Sequence, residues 1–186
     1  MSFSKIEFEA IFNGVIDRYE HEDFLNVLPK FKKLLPNFPD CVLEQWAFRH
    51  RHNFLSDYWD LGFDKFEFSL HDFDNTKIYN EIGWKESVPI ESWGDNLFVK
   101  KNHIVMQTWL AKYFFKEKSW PRPIIVLQVD QIRQFGTILF QKSFQLLEGH
   151  LRLAYMRSQI RNNIEEIPVT HKVWVVKIIA NSFDCA

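Results

Sequence analysis

Apolar and polar positions recur along this chain with two different periods. Ser4-x-x-Glu7 carries the signature of a capping box, and behind it Ile11, Phe12, Val15, Ile16 and Tyr19 fall at helical spacing. Pro29, Pro36 and Pro39 are expected to break the next stretch into short pieces. A second helix is expected after Pro39-Asp40, with Val42, Leu43, Trp46, Ala47 and Phe54 on its apolar side and Pro39 tolerated near its first turn. Phe66-Glu67-Phe68-Ser69-Leu70 alternates strictly and predicts a half-buried strand. Asp74-Asn75 can cap a short helix through Tyr79 and Ile82, and Glu91 to Asp95 reads as a turn. A longer helix is predicted over about 102–117, stopped by Ser119-Trp120-Pro121-Arg122-Pro123.

From residue 123 the pattern changes. Ile124-Ile125-Val126-Leu127 is a continuous apolar run after a proline, as suits a strand buried on both faces. Residues 129–142 are polar and contain Gly136, a connection; Phe144-Gln145-Leu146-Leu147 is a second short strand. A helix is predicted from Glu148-Gly149-His150 to about Asn163, with Leu151, Ala154, Tyr155 and Ser158 on its buried side. His171 to Ile178 alternates as a third strand.

Composition narrows the class. The 186 residues include 19 Phe, 7 Trp and 5 Tyr but only 6 Gly, which excludes disordered and collagen-like chains. The formal net charge of −1 argues against general nucleic-acid binding, which draws on a basic excess. Cys41 and Cys185 are far apart, so a cysteine-rich zinc site and a disulfide framework are not expected. The first residues lack a basic, then apolar, leader pattern, and no window approaches a membrane span. The expected setting is cytoplasmic.

Two segments carry candidate chemistry. Arg49-His50-Arg51-His52 is basic, but His50 and His52 at i, i+2 on a helix point about 200° apart, which is poor for joint chelation. The second segment is the strand running into Glu148-Gly149-His150-x-Arg152. A helix start exposes unpaired N–H groups and carries about half a positive charge. Gly149 lets backbone approach a ligand, His150 and Arg152 add donors, and Arg grips phosphate oxygens bidentately. Glu148 would repel bare phosphate but suits a metal ligand or a general base. On spacing alone this fits an ordinary strand-to-helix turn with surface charges more readily than a phosphate site. Arg157 and Arg161 can share the His150 face, either extending the basic site or facing solvent, and Arg122 can approach from the neighbouring strand.

Pro123-Ile124-Ile125-Val126-Leu127, then Phe144-Gln145-Leu146-Leu147-Glu148-Gly149-His150-Leu151-Arg152-Leu153-Ala154, then His171-Lys172-Val173-Trp174-Val175-Val176 resembles the ParB/sulfiredoxin-like superfamily. The resemblance covers roughly residues 120–180. It implies a nucleotide-binding domain with phosphates on the 148–152 turn, held by Gly149, His150, Arg152 and Arg122, with Glu148 and His150 as catalytic candidates. The implied cofactor is ATP or CTP with Mg2+, and the implied activity is NTP hydrolysis or phosphotransfer. Sulfiredoxin's cysteine is replaced by His150 and Leu151, which argues against peroxiredoxin repair. The residues after Asn163 read mainly as a strand, so the helix-turn-helix of partition proteins is not expected.

The expected fold is α+β. A small mixed sheet with helices over residues 119–186 carries the motif, and a mainly helical N-terminal extension over residues 1–118 packs on it. The alternatives are a non-catalytic interaction factor, of the immunity, anti-defence or plasmid/phage conflict kind, binding a protein partner through the extension, and a metal-dependent nuclease.

Overall fold

The computed structural model describes residues 3–13, 20–85, 88–129, 134–135, 138–139 and 142–179. The fold is α+β, with a five-stranded mixed sheet and a helical N-terminal part. It divides into two compact units. One comprises the chain up to Phe68 with the segment from Lys177 onward, and the other runs from Ser69 to Val176.

In the first unit α1 (Lys5–Glu9) starts at the expected capping box, with Ser4 and Glu7 bonding each other's backbone N–H. Helix α2 (His21–Leu34) contains Pro29, which was expected to break it. Proline forfeits one i→i−4 bond, a cost of about 3 kcal/mol. Burial of Phe24, Val27 and Phe31 on one face offsets that cost, because each large apolar side chain contributes roughly 1.5–3 kcal/mol. Helix α3 (Asp40–Val42) follows Pro39 and passes into a π-helical turn over Leu43–Phe48, ahead of α4 (Arg51–Asp57). The aromatics pack on one another. Phe54 stacks on Phe63 at 4.1 Å and on Phe8 at 5.1 Å, and Trp46 meets Phe54 edge-on at 4.9 Å. These residues therefore serve as core, not as a stacking platform for bases.

Strand β1 (Phe66–Asp74) includes the alternating segment. Asp74 then caps α5 (Asn75–Glu81) by accepting from the Lys77 N–H at 2.7 Å, and β2 (Ile82–Gly83) follows. Helix α6 (Ile90–Phe98) occupies the segment expected to be a turn. The helix α7 (His103–Gln107) and helix α8 (Trp109–Glu117) replace the single expected helix. Thr108 separates them in an extended conformation, donating to the Val105 carbonyl and capping Ala111. Strand β3 (Ile124–Gln128) and the β4–β5 hairpin (Gln134–Phe135, Ile138–Leu139) come next. The rest of the polar connection expected over 129–142 lies largely outside the described residues. Strand β6 (Phe144–Glu148), α9 (His150–Arg161) and β7 (Thr170–Ile178) complete the order.

The sheet runs β1-β7-β3-β6-β2. Strand β3 is parallel to β7 and antiparallel to β6, and β2 is parallel to β6. The residue 118/119 boundary falls inside the second unit, and β1 and β2 precede it yet join the sheet. All nineteen members of the second unit's buried apolar cluster lie between Phe73 and Val175. Helix α9 lies deep in it, with residues 152–159 all buried. Gly94 makes that possible: a Cβ there would stand 2.3 Å from the Ala154 carbonyl oxygen and 2.8 Å from Ser158 Cβ. Among the described residues no helix is long and apolar enough to cross a membrane.

Candidate functional site

Register brings the motif residues together. Ile125 pairs with Glu148 and Ile124 with Val173, so the end of β6 lies beside the start of β3 and of β7. Arg122 and Pro123, just before β3, therefore adjoin the β6–α9 turn.

Gly149 makes that turn. Its φ is +104°, in the left-handed region that side chains avoid, and an added Cβ would lie 2.6 Å from Ile124 Cγ2. The close approach that glycine permits here is to β3. Helix α9 then starts with no side-chain cap, its first backbone bond running from the Leu153 N–H to the Gly149 carbonyl at 2.8 Å.

Arg152 turns inward and is only 8% exposed. Its guanidinium pairs with the Glu148 carboxylate and donates to the carbonyls of Arg122 at 2.7 Å and Pro123 at 3.2 Å. Glu148 is likewise buried. The two opposite charges neutralise each other directly beneath the helix start. His150, the first residue of α9, is half-buried, and Leu151 is exposed. Glu148, Gly149 and Arg152 thus form one cluster, with the backbone of Arg122 attached to it and His150 next to Gly149 in sequence.

Arg157 and Arg161 do not extend that cluster, nor do they face solvent freely. Arg157 is buried, donates from Nε to Glu91 Oε1 at 2.8 Å and to the Tyr79 carbonyl, and stacks on Tyr79 and Trp84 at 4.2 and 4.7 Å. Arg161 bridges Glu91 and Asp95. Two arginines of α9 therefore meet two carboxylates of α6, and the network locks the helices together.

His171 has no role that its sequence setting suggests, yet the structure gives it a defined one. It is 2% exposed; Ser119 Oγ lies 2.8 Å from its Nδ1 and Asn75 Oδ1 lies 3.1 Å from its Nε2. The Asn75 amide N–H2 donates to the Pro168 carbonyl at 3.1 Å, so its oxygen faces the imidazole and can only accept. Nε2 therefore carries the proton, and the Ser119 hydroxyl donates to Nδ1. Burial pushes the imidazole pKa down to about 4, against a smaller opposing effect of the Pro168 carbonyl. Trp120 packs on the ring at 5.2 Å and anchors itself by donating from Nε1 to the Lys172 carbonyl. The alternation of β7 already places residues 171, 173 and 175 on one buried face, which is the available signal for His171.

Arg51 and His52 line a hollow of about 310 Å³ in the first unit with Glu9, Phe12, Asn13 and Leu55. Among the described residues no group of three His, Cys, Asp or Glu side chains is placed to hold a metal ion. The Glu148 carboxylate is paired with Arg152. No protein-family model, curated protein or solved structure matches the chain.

Proposed function

We propose that this chain is a nucleotide-binding protein of the ParB/sulfiredoxin-like kind that seats the phosphates of ATP or CTP, with Mg2+, on the first turn of α9, and that it acts as an NTP hydrolase or phosphotransferase. One observation carries the reading. The start of α9 has no side-chain cap, and the carboxylate that would repel an anion there is neutralised by Arg152. A helix start favours an anion through its N–H groups and its dipole, and the Arg152 charge offsets that of the adjacent acid, Glu148. Backbone N–H groups of the first turn and the His150 ring supply the donors, and Arg152 is a positioning residue that fixes the turn to the lead-in of β3. The test is a titration of the full chain with ATP, CTP and GTP in the presence of magnesium, on wild type and His150→Ala.

A second reading, a protein-interaction factor, draws on a different observation. Val99, directly after α6, Ile104 of α7 and Trp109 of α8 are 55%, 80% and 69% exposed. Three large apolar side chains left exposed within eleven residues are the feature a partner would cover. A stable complex recovered by pull-down, and lost on Trp109→Ser, would support it over nucleotide binding.

A further inference from the structure

We propose that Ser119 is a nucleophile that takes the terminal phosphoryl group of a bound nucleoside triphosphate, with His171 as its base and Asn75 holding the imidazole in the working tautomer. This deepens the phosphate-binding reading above and rests on it.

The arrangement is that of an activated nucleophile: a hydroxyl hydrogen-bonded to a base, and the base oriented by a third group. Ser119 Oγ is 2.8 Å from His171 Nδ1, and His171 Nε2 is 3.1 Å from Asn75 Oδ1. The three groups come from the α8–β3 connection, from β7 and from α5, so local sequence does not force them together. Asn75 is itself fixed by the Pro168 carbonyl, and Trp120 packs against the ring. Ser119 is half-buried and directly follows Lys118, whose φ of +54° closes α8 in a left-handed turn.

Position supplies the second argument. His171 lies at the start of β7, and the β6–α9 turn lies at the end of β6, with only β3 between them. Both sites thus occupy the same end of the sheet, two strand spacings or about 10 Å apart across it.

The chemistry of the base favours phosphoryl over acyl transfer. A buried imidazole facing a neutral amide disfavours its own protonated form, so it is a weak base. Acyl transfer through a tetrahedral intermediate requires that imidazolium to be stabilised. Phosphoryl transfer through a loose transition state draws mainly on positioning and charge neutralisation. In the step, the Ser119 Oγ–P bond forms as the bridging P–O bond breaks. The electron pair leaves with the nucleoside diphosphate, and the hydroxyl proton passes late in the step through His171 Nδ1 to the departing diphosphate, so no imidazolium persists. The products are phosphoserine at 119 and a nucleoside diphosphate.

The test incubates the full chain with ATP, CTP or GTP and magnesium. Nucleotide affinity is measured by calorimetry, and phosphorylation by intact and tandem mass spectrometry, on the same samples. The expected result is one phosphoryl group on Ser119, absent in Ser119→Ala and formed at least tenfold more slowly in His171→Gln. Thermal melts by circular dichroism confirm that each variant folds, and Ser119→Thr, which keeps a hydroxyl, retains incorporation. Nucleotide binding without phosphorylation of Ser119, or phosphorylation elsewhere, overturns this proposal and leaves the binding reading standing. Absence of any nucleotide binding overturns both.

Discussion

Lowering the pH should destabilise this protein through one identifiable side chain. His171 is buried and neutral, with its pKa lowered from the ordinary 6.5 to about 4. In the unfolded chain the same imidazole takes up a proton once the pH falls below 6.5, whereas the folded protein resists doing so. Stability attributable to this group is therefore complete above pH 6.5, declines as the pH falls, and levels out below about 4. Each pKa unit corresponds to 1.36 kcal/mol, so the full effect is about 3 kcal/mol. Carboxylates titrate in part of the same window, so the comparison must be with a variant that keeps the hydrogen bonds but does not titrate. His171→Gln is that variant: its amide can donate to Asn75 and accept from Ser119. Urea unfolding of both proteins from pH 4 to pH 7.5 gives the difference directly. The wild type is expected to lose about 3 kcal/mol relative to His171→Gln on going from pH 7 to pH 4. Parallel pH profiles would refute the buried neutral tautomer and with it the assignment of Nε2 as donor to Asn75.

Three further outcomes follow from packing and polar balance. Arg152→Ala leaves the buried Glu148 carboxylate uncompensated and should cost about 3–5 kcal/mol in chemical denaturation, with Glu148→Gln/Arg152→Met costing less; a single-variant cost below about 0.5 kcal/mol would contradict the structural role of the pair. Gly94→Ala drives a Cβ into the Ala154 carbonyl at 2.3 Å, so α6 must move off α9, and a loss of about 1–3 kcal/mol is expected despite alanine's better helix propensity. Gln159 is 0% exposed with both amide atoms lacking a hydrogen-bond partner among the described residues, so Gln159→Met should raise stability by about 1–2 kcal/mol, and a fall in the melting temperature would show that the amide is satisfied in solution.

Elements whose signal is local were legible in the sequence. The apolar run of β3, the alternation of β7, the Ser4 capping box and the Asp74 cap all use neighbours within a few residues, and each is found where expected. The β6–Gly149–α9 turn was legible for the same reason, because a glycine between a strand and a helical period marks a conformation that other residues avoid. What was not legible depends on distant partners. Gly94-Asp95 looks like a turn until α9 is placed against it, when the missing Cβ becomes the reason a helix fits there. Pro29 sits inside α2 because its helical face is buried. Arg157 and Arg161 looked like surface cations, but their carboxylates on α6 are 66 to 70 residues away. His171 finds Ser119 and Asn75 at separations of 52 and 96 residues, so no spacing rule reveals it. The turn was therefore legible, while the orientation of Arg152 toward Glu148 and the carbonyls before β3 needed the fold.

Whether the first turn of α9 receives nucleotide phosphates is decided by calorimetric titration of the intact chain with ATP, CTP and GTP in magnesium. Saturable binding of one nucleotide per chain is expected, weakened about tenfold in His150→Ala, a change of roughly 1.4 kcal/mol, near the lower end for one hydrogen bond to a charged group. No heat of binding up to about 1 mM nucleotide, a level corresponding to only about 4 kcal/mol of affinity, or equal affinities for wild type and variant, would contradict it.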